Sequence, residues 1–129
     1  MPAPEIHDPS EVYVHLHTDA EVHLEPLTPE FWPQIDQRAD LQTGRLITSH
    51  PTEHDWETWE MHPAGDEVIV MMTGSSRFVL DNGHHVTEHV VSAPHYLIVP
   101  TGVWHTMDVL EPGQILVITW GEGTENRRR

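Results

Sequence analysis

Two short segments carry side chains able to grip a metal ion. One is Glu60-Met61-His62-Pro63-Ala64-Gly65-Asp66-Glu67, closing on Gly74; the other is Pro100-Thr101-Gly102-Val103-Trp104-His105. Glu60 and His62 are two residues apart, so on a β-strand they point to one face. Glu67 opens the next apolar run, in phase with Ile69 and Met71, and His105 opens a later one with Met107 and Val109. A carboxylate buried beside such neighbours is costly unless it pairs or binds a cation. Carboxylate oxygens and imidazole nitrogens are also ligands for first-row divalent metals. A lone Glu-x-His pair is more often a solvated strand face, and a lone histidine more often a hydrogen-bonded core residue. The Glu60-x-His62 pair, Glu67 and His105 make three such cases, and together they carry more weight: the four residues form a metal site if their strands meet.

The elements that must position these residues are short and β-rich. Val12–Val22 alternates, with Val12, Val14 and Leu16 on one face and Tyr13, His15 and His17 on the other, which predicts that the histidine face looks outward. Thr28-Pro29-Glu30-Phe31-Trp32 reads as a helical turn with a threonine cap and proline in first position. Strands are expected over 44–49, 56–62, 67–73, 76–80, 85–92, 95–99, 105–110 and 114–120, all rich in β-branched or aromatic residues. Asn82-Gly83 signals a type I′ hairpin. Pro63-Ala64-Gly65, Thr73-Gly74, Ala93-Pro94 and Pro112-Gly113 punctuate the rest. So many short strands with almost no helix predict an all-β fold, a sandwich or jelly-roll barrel. The chain divides into an N-terminal arm at 1–10, one barrel domain at 11–122 and a polar tail at 123–129.

Composition narrows the chemistry. With 129 residues and 37% hydrophobic content the chain can bury one core. It has no cysteine, so thiolate ligands, disulfides and cysteine nucleophiles are excluded, and any metal is held by nitrogen and oxygen. It has no lysine either, which removes Schiff-base chemistry. Twenty-one acids against six arginines give a net charge of −15, a surface that repels phosphate backbones, so no nucleic-acid partner is expected. Three of those arginines, Arg127, Arg128 and Arg129, end the chain and read as a solvated, frayed terminus. No apolar run approaches a membrane span, and the N-terminus lacks a basic start and an apolar stretch, so a cytoplasmic location without membrane partners is expected.

The two opening segments resemble the two motifs of the cupin superfamily. The first family motif runs roughly His-x-His, three or four residues, Glu, six residues, Gly; Glu60-x-His62, four residues, Glu67, six residues and Gly74 match all but its first position. The second, Pro-x-Gly-x-x-His, is matched in full by Pro100, Gly102 and His105. The resemblance covers about residues 56–105 and implies a small jelly-roll (double-stranded β-helix) barrel. Its metal ligands, by position, are Glu60, His62, Glu67 and His105. Glu60 stands where the family usually has histidine; it is a fourth ligand, a general base beside a three-ligand metal, or the mark of an empty site. The extra carboxylate leans toward Fe, Mn or Zn, with Ni or Co next, and away from Cu.

The resemblance implies a small-molecule metalloenzyme of dioxygenase, isomerase or lyase type, with the metal at the barrel mouth. The alternative is a non-catalytic module that binds a small ligand or senses metal. Small cupins resemble one another in forming dimers, and the Val12–Val22 strand suits an interface. Tyr96, just before the second motif, is a candidate acid, although a packed aromatic is the plainer reading. His50 and His54 flank a loop that can reach the mouth, whereas His84, His85 and His89 surround a hairpin turn and should be solvated. No arginine sits next to either motif to clamp an anion, and of the internal Arg38, Arg45 and Arg77 only the last two are plausible clamps, so a neutral or weakly polar substrate fits best.

Overall fold

The computed structural model describes residues 3–129, and among them the regular structure is nine strands and two short 3-10 turns. The strands are β1 (Val12–Leu16), β2 (Val22–Pro26), β3 (Arg45–Thr52), β4 (Thr58–Met61), β5 (Glu67–Asp81), β6 (Val86–Ser92), β7 (Tyr96–Val99), β8 (Trp104–Thr119) and β9 (Glu125–Arg128). The 3-10 turns, Ile35–Gln37 and Ala39–Leu41, follow the expected turn at 28–32, where Phe31 N–H donates to Thr28 O. Every pairing is antiparallel.

The spine is the ribbon of β5 and β8, 15 and 16 residues long. The sequence pattern predicts each as two strands separated at Gly74 or Pro112-Gly113. The punctuation is real, but it bends the strands instead of ending them: the register shifts between Met71 and Ser76. A Cβ on Gly74 (φ +79°) would stand 2.5 Å from Glu111 O, and one on Gly113 would stand 2.0 Å from Thr73 O. Glycine lets the two backbones cross in contact there.

On one side of the bend β5 and β8 lie between β7 and β3, with β1 and β2 beyond. On the other they lie between β6 and β4, with β9 beyond β4. The two halves face each other across a core of Ile69, Met71, Phe78, Val91, Val99, Met107 and Ile115. A second cluster, Tyr13, Phe31 and Leu41 with Ile35 and Leu46, fastens the 3-10 segment onto β1 and β3.

Three local expectations are corrected. The face of β1 that turns inward is the one with Tyr13 (1% exposed) and His15 (0%), while Val12, Val14 and Leu16 stay half-buried on the outer side. Alternation locates two faces but not which is inside, and here both are apolar enough. The Asp81–His85 turn is not type I′: among the described residues positive φ occurs only at glycines, so Asn82 cannot supply its share. Instead Asn82 Oδ1 accepts the His84 and His85 amides within a four-residue loop. Finally, the terminal arginines are not frayed. Arg127 and Arg128 lie in β9, paired with β4; Arg127 sits 4.4 Å above the Trp104 ring, and Arg129 donates to Asp108 (2.7 Å). Trp59 and Trp104 give Arg127 aromatic faces, a reason for order that composition does not reveal.

Candidate metal centre

Glu60 and His62 come from β4 and the residue after its end, Glu67 from the first position of β5, and His105 from the second position of β8. Strand pairing converges them: Glu60 is opposite His105, and the His62 carbonyl accepts the Gly102 amide, joining the two motif segments. Gly102 takes φ +78° at this turn. Within the site Glu67 Oε2 is 2.8 Å from His62 Nε2 and Glu67 Oε1 is 3.0 Å from His105 Nε2. Glu60 Oε2 stands wider, 3.9 Å from His62 Nε2 and 3.8 Å from His105 Nε2. His62, Glu67 and His105 are buried, and the Glu60 side chain is one-third exposed.

The surrounding hydrogen bonds define what these groups can hold. Thr124 Oγ1 donates to Gly121 O, so toward His62 it is an acceptor, and His62 Nδ1–H donates to it at 2.8 Å. His105 Nδ1 faces the Val103 carbonyl at 3.2 Å and is likewise a donor. In a neutral imidazole the other nitrogen is then a bare lone pair. With both rings neutral, both Nε2 atoms direct lone pairs at the same carboxylate; His105 Nε2 is at hydrogen-bond distance from Glu67 Oε1 and can bond it only by carrying a proton, while His62 Nε2 is out of line for a hydrogen bond. Thr119 Oγ1 donates to Glu67 Oε2 at 2.6 Å and fixes the carboxylate. Three electron-rich groups this close demand positive charge between them, from protons or from a metal ion. Adjacent ligands on an octahedron at about 2.1 Å from a metal stand about 3 Å apart, which the two short distances match. Hydrogen-bond partners that orient a histidine ring in this way are a feature of metal sites.

The electrostatics carry the same sign. Burial opposes the Glu67 charge, but its contacts with His105 and His62 outweigh that and hold its carboxyl at about 2. Burial pushes the His105 imidazole down, yet the Glu67 contact and the charges of Glu67 and Glu60 raise it overall. Glu60 goes the other way: burial first, and the Glu67 charge second, raise it above the usual carboxylate range. Two neighbouring carboxylates are thus driven apart, one fixed as an anion and one able to take a proton.

The site opens into a cavity of about 810 Å³. Glu60, His62, Glu67, Thr58 and Thr119 line its polar end, and Trp32, Ile35, Leu41, Leu46, Trp56, Ile115 and Val117 its apolar wall. His50 also lines it, its ring tilted against Trp32 with centroids 5.7 Å apart and bonded to Thr48, and burial holds its imidazole below the usual value. Among the described residues no arginine lines the cavity. Tyr96 is not brought to the site; it is 63% exposed on the outer face of β7. His54, His84, His85 and His89 are exposed as well. Thr119 and Thr124, which orient the ligands, lie outside both sequence motifs; only their place on the strands and turns that close the site identifies them.

No family model and no curated protein matches the chain. Solved structures do. The Bacillus subtilis oxalate decarboxylase, studied for its Mn(II) centres, aligns with a TM-score of 0.55 at 15% identity over 72% of this chain and 26% of its own. A hydroquinone 1,2-dioxygenase in complex with Cd²⁺ and 4-hydroxybenzonitrile aligns at 0.50, with 17% identity over 58% of this chain and 56% of its own. A TDP-quinovose 3,4-ketoisomerase from Campylobacter jejuni aligns at 0.50, with 19% identity over 56% and 58%. The chain thus spans about a quarter of the first and just over half of the other two. Likeness at these identities is likeness of fold, and the fold is that of the cupins. Among the described residues no helix is long and apolar enough to cross a membrane.

Proposed function

We propose that this protein is a metal-dependent enzyme acting on an uncharged small molecule. The observation that carries the reading is the pair of imidazoles whose Nδ1 atoms are committed to Thr124 and Val103, so that both Nε2 atoms face Glu67. His62, Glu67 and His105 hold the ion, a two-histidine, one-carboxylate face that suits Fe²⁺, Mn²⁺ or Zn²⁺ and leaves positions open toward the cavity. Such an ion supplies Lewis acidity toward a substrate oxygen, or a binding position for dioxygen or water.

The chain's own residues supply the rest. Glu60, wider from the others and with its carboxyl raised, takes and returns a proton at Oε2 beside the metal. Trp32, Trp56, Ile35 and Leu46 hold an apolar body and exclude water from it, while Thr58 and His50 offer hydrogen bonds. With acids and no arginine on the wall, an anion is disfavoured. The working unit is a homodimer, supported by an apolar outer face described below.

Metal analysis of protein purified without added metal tests the proposal. Near-stoichiometric Fe, Mn or Zn is expected, retained in Glu60→Gln but lost in Glu67→Gln and His105→Ala. A metal-free, folded wild type indifferent to added ions refutes it, and loss of the ion from Glu60→Gln makes Glu60 a ligand instead of a base.

A further inference from the structure

A second group of metal-ligating side chains lies at the tip of the β1–β2 hairpin, away from both sequence motifs. His17 follows β1, Asp19 sits in the turn and His23 is the second residue of β2. His15 pairs with His23 across the hairpin, and His17 follows His15 by two, so all three rings share one face. The His17 and His23 ring centroids are 4.2 Å apart, those of His15 and His17 4.3 Å. Ligand atoms of His17, Asp19 and His23 lie within 4.8 Å of one another.

The group is built on a fixed base. His15 is fully buried, and its Nε2 lies 2.7 Å from the Thr43 carbonyl, to which it donates, anchoring the hairpin beside β3. Its other nitrogen, Nδ1, is buried without a partner against this cluster of rings. Asp19 Oδ1 accepts the Glu21 amide at 2.9 Å, which pins the carboxylate in the turn and leaves Oδ2 available. Glu21 Oε2 lies 3.3 Å from His23 Nε2, adding negative charge. Arg38 is already engaged by Glu25 and Asp40, and the cation on the strand beside the tip is Arg45, opposite Leu16.

We propose that His17, Asp19 and His23 form a second divalent-metal site. Two imidazoles and one carboxylate define its chemistry: Ni²⁺, Cu²⁺ and Zn²⁺ bind, whereas Mg²⁺ and Ca²⁺, which want all-oxygen shells, do not. The site closes the hairpin as a clip, because its ligands come from both strands and the turn. It is independent of the barrel centre, sharing no residue with it.

Counting Zn²⁺ on metal-stripped full-length protein by native mass spectrometry tests this. Wild type should hold one Zn²⁺ more than His17→Ala and than His23→Ala, whether or not the barrel centre is filled, since that centre is intact in all three. Both substitutions are at the surface of a hairpin tip, and unchanged circular dichroism verifies their folding. Changing the exposed pair His84→Ala with His85→Ala should leave the count at the wild-type value. Substoichiometric Cu²⁺ should broaden the NMR signals of the His17 and His23 rings ahead of those of His84 and His85. An unchanged count in His17→Ala and His23→Ala, loss of the ion in the His84/His85 variant, or equal occupancy by Mg²⁺ overturns the proposal.

Discussion

In the proposed metal centre Thr124 would matter without touching the ion. By accepting from His62 Nδ1 it assigns the tautomer, and a valine there would leave that N–H unsatisfied and the ring free to turn. Thr124→Val should therefore weaken metal binding by roughly 10–100-fold, read by competition with a chromophoric chelator on protein that circular dichroism shows to be folded. A variant that binds as well as wild type would show that His62 needs no such orientation. His50 makes a second test. Burial favours its neutral form, so its ring should titrate by NMR with a midpoint below the ordinary 6.5. The unfolded chain then binds this proton more readily, so stability falls as pH drops through 6.5 toward the folded midpoint, and His50→Gln should lessen that loss. A midpoint above 6.5 contradicts the assignment. Legibility at this scale was uneven for a physical reason. Glu60, His62, Glu67 and His105 sit at fixed spacings on the strands that meet, whereas Thr119 and Thr124 are common residues placed only by tertiary pairing. Tyr96 was misplaced because four residues of alternation on β7 do not say which face is inward.

The bent ribbon of β5 and β8 decides where Glu67 and His105 stand, since each lies at or next to one end of a strand that must turn at its middle. Gly74 permits that turn with positive φ and no Cβ where Glu111 O passes. Gly74→Ala should cost roughly 1–3 kcal/mol or more, seen as a lower denaturation midpoint with unchanged slope; a neutral effect would mean the crossing can relax. Sequence marked both bends as breaks, because a glycine inside a strand and a glycine between strands leave the same local signal. It missed β9 altogether. Glu125–Arg128 is exposed along its length and has no alternation, and its order comes from pairing with β4 and from Arg127 over Trp104. Since β4 pairs with β9 and leads directly into the proposed ligand His62, ending the chain after Thr124 should free that edge and weaken metal binding at the proposed centre. Full affinity in the shortened chain would show that β8 alone positions β4.

Across the whole molecule the outer face of one half is unusual for so acidic a protein. Leu24, Val14, Ile47, Ile118, Val68 and Ile98 stand opposite one another in strict register across six strands, an apolar row uninterrupted by charge. Tyr96, Val70 and Leu116 make part of the row beside it. This is why β1 reads apolar on the side that is not the interior: its valines belong to an external surface that a second copy can cover. A contiguous apolar face of this kind marks an association site. Two copies each carrying −15 repel, and the uncharged row is where they can approach at least electrostatic cost. Sedimentation of the wild type should therefore give a dimer that tightens as salt screens the repulsion between copies. Ile98→Glu, at a position already 50% exposed, should give a folded monomer with the barrel metal still bound. A wild type that remains monomeric at high salt and tens of micromolar protein, or an Ile98→Glu variant that still dimerises, would remove this face from the assembly.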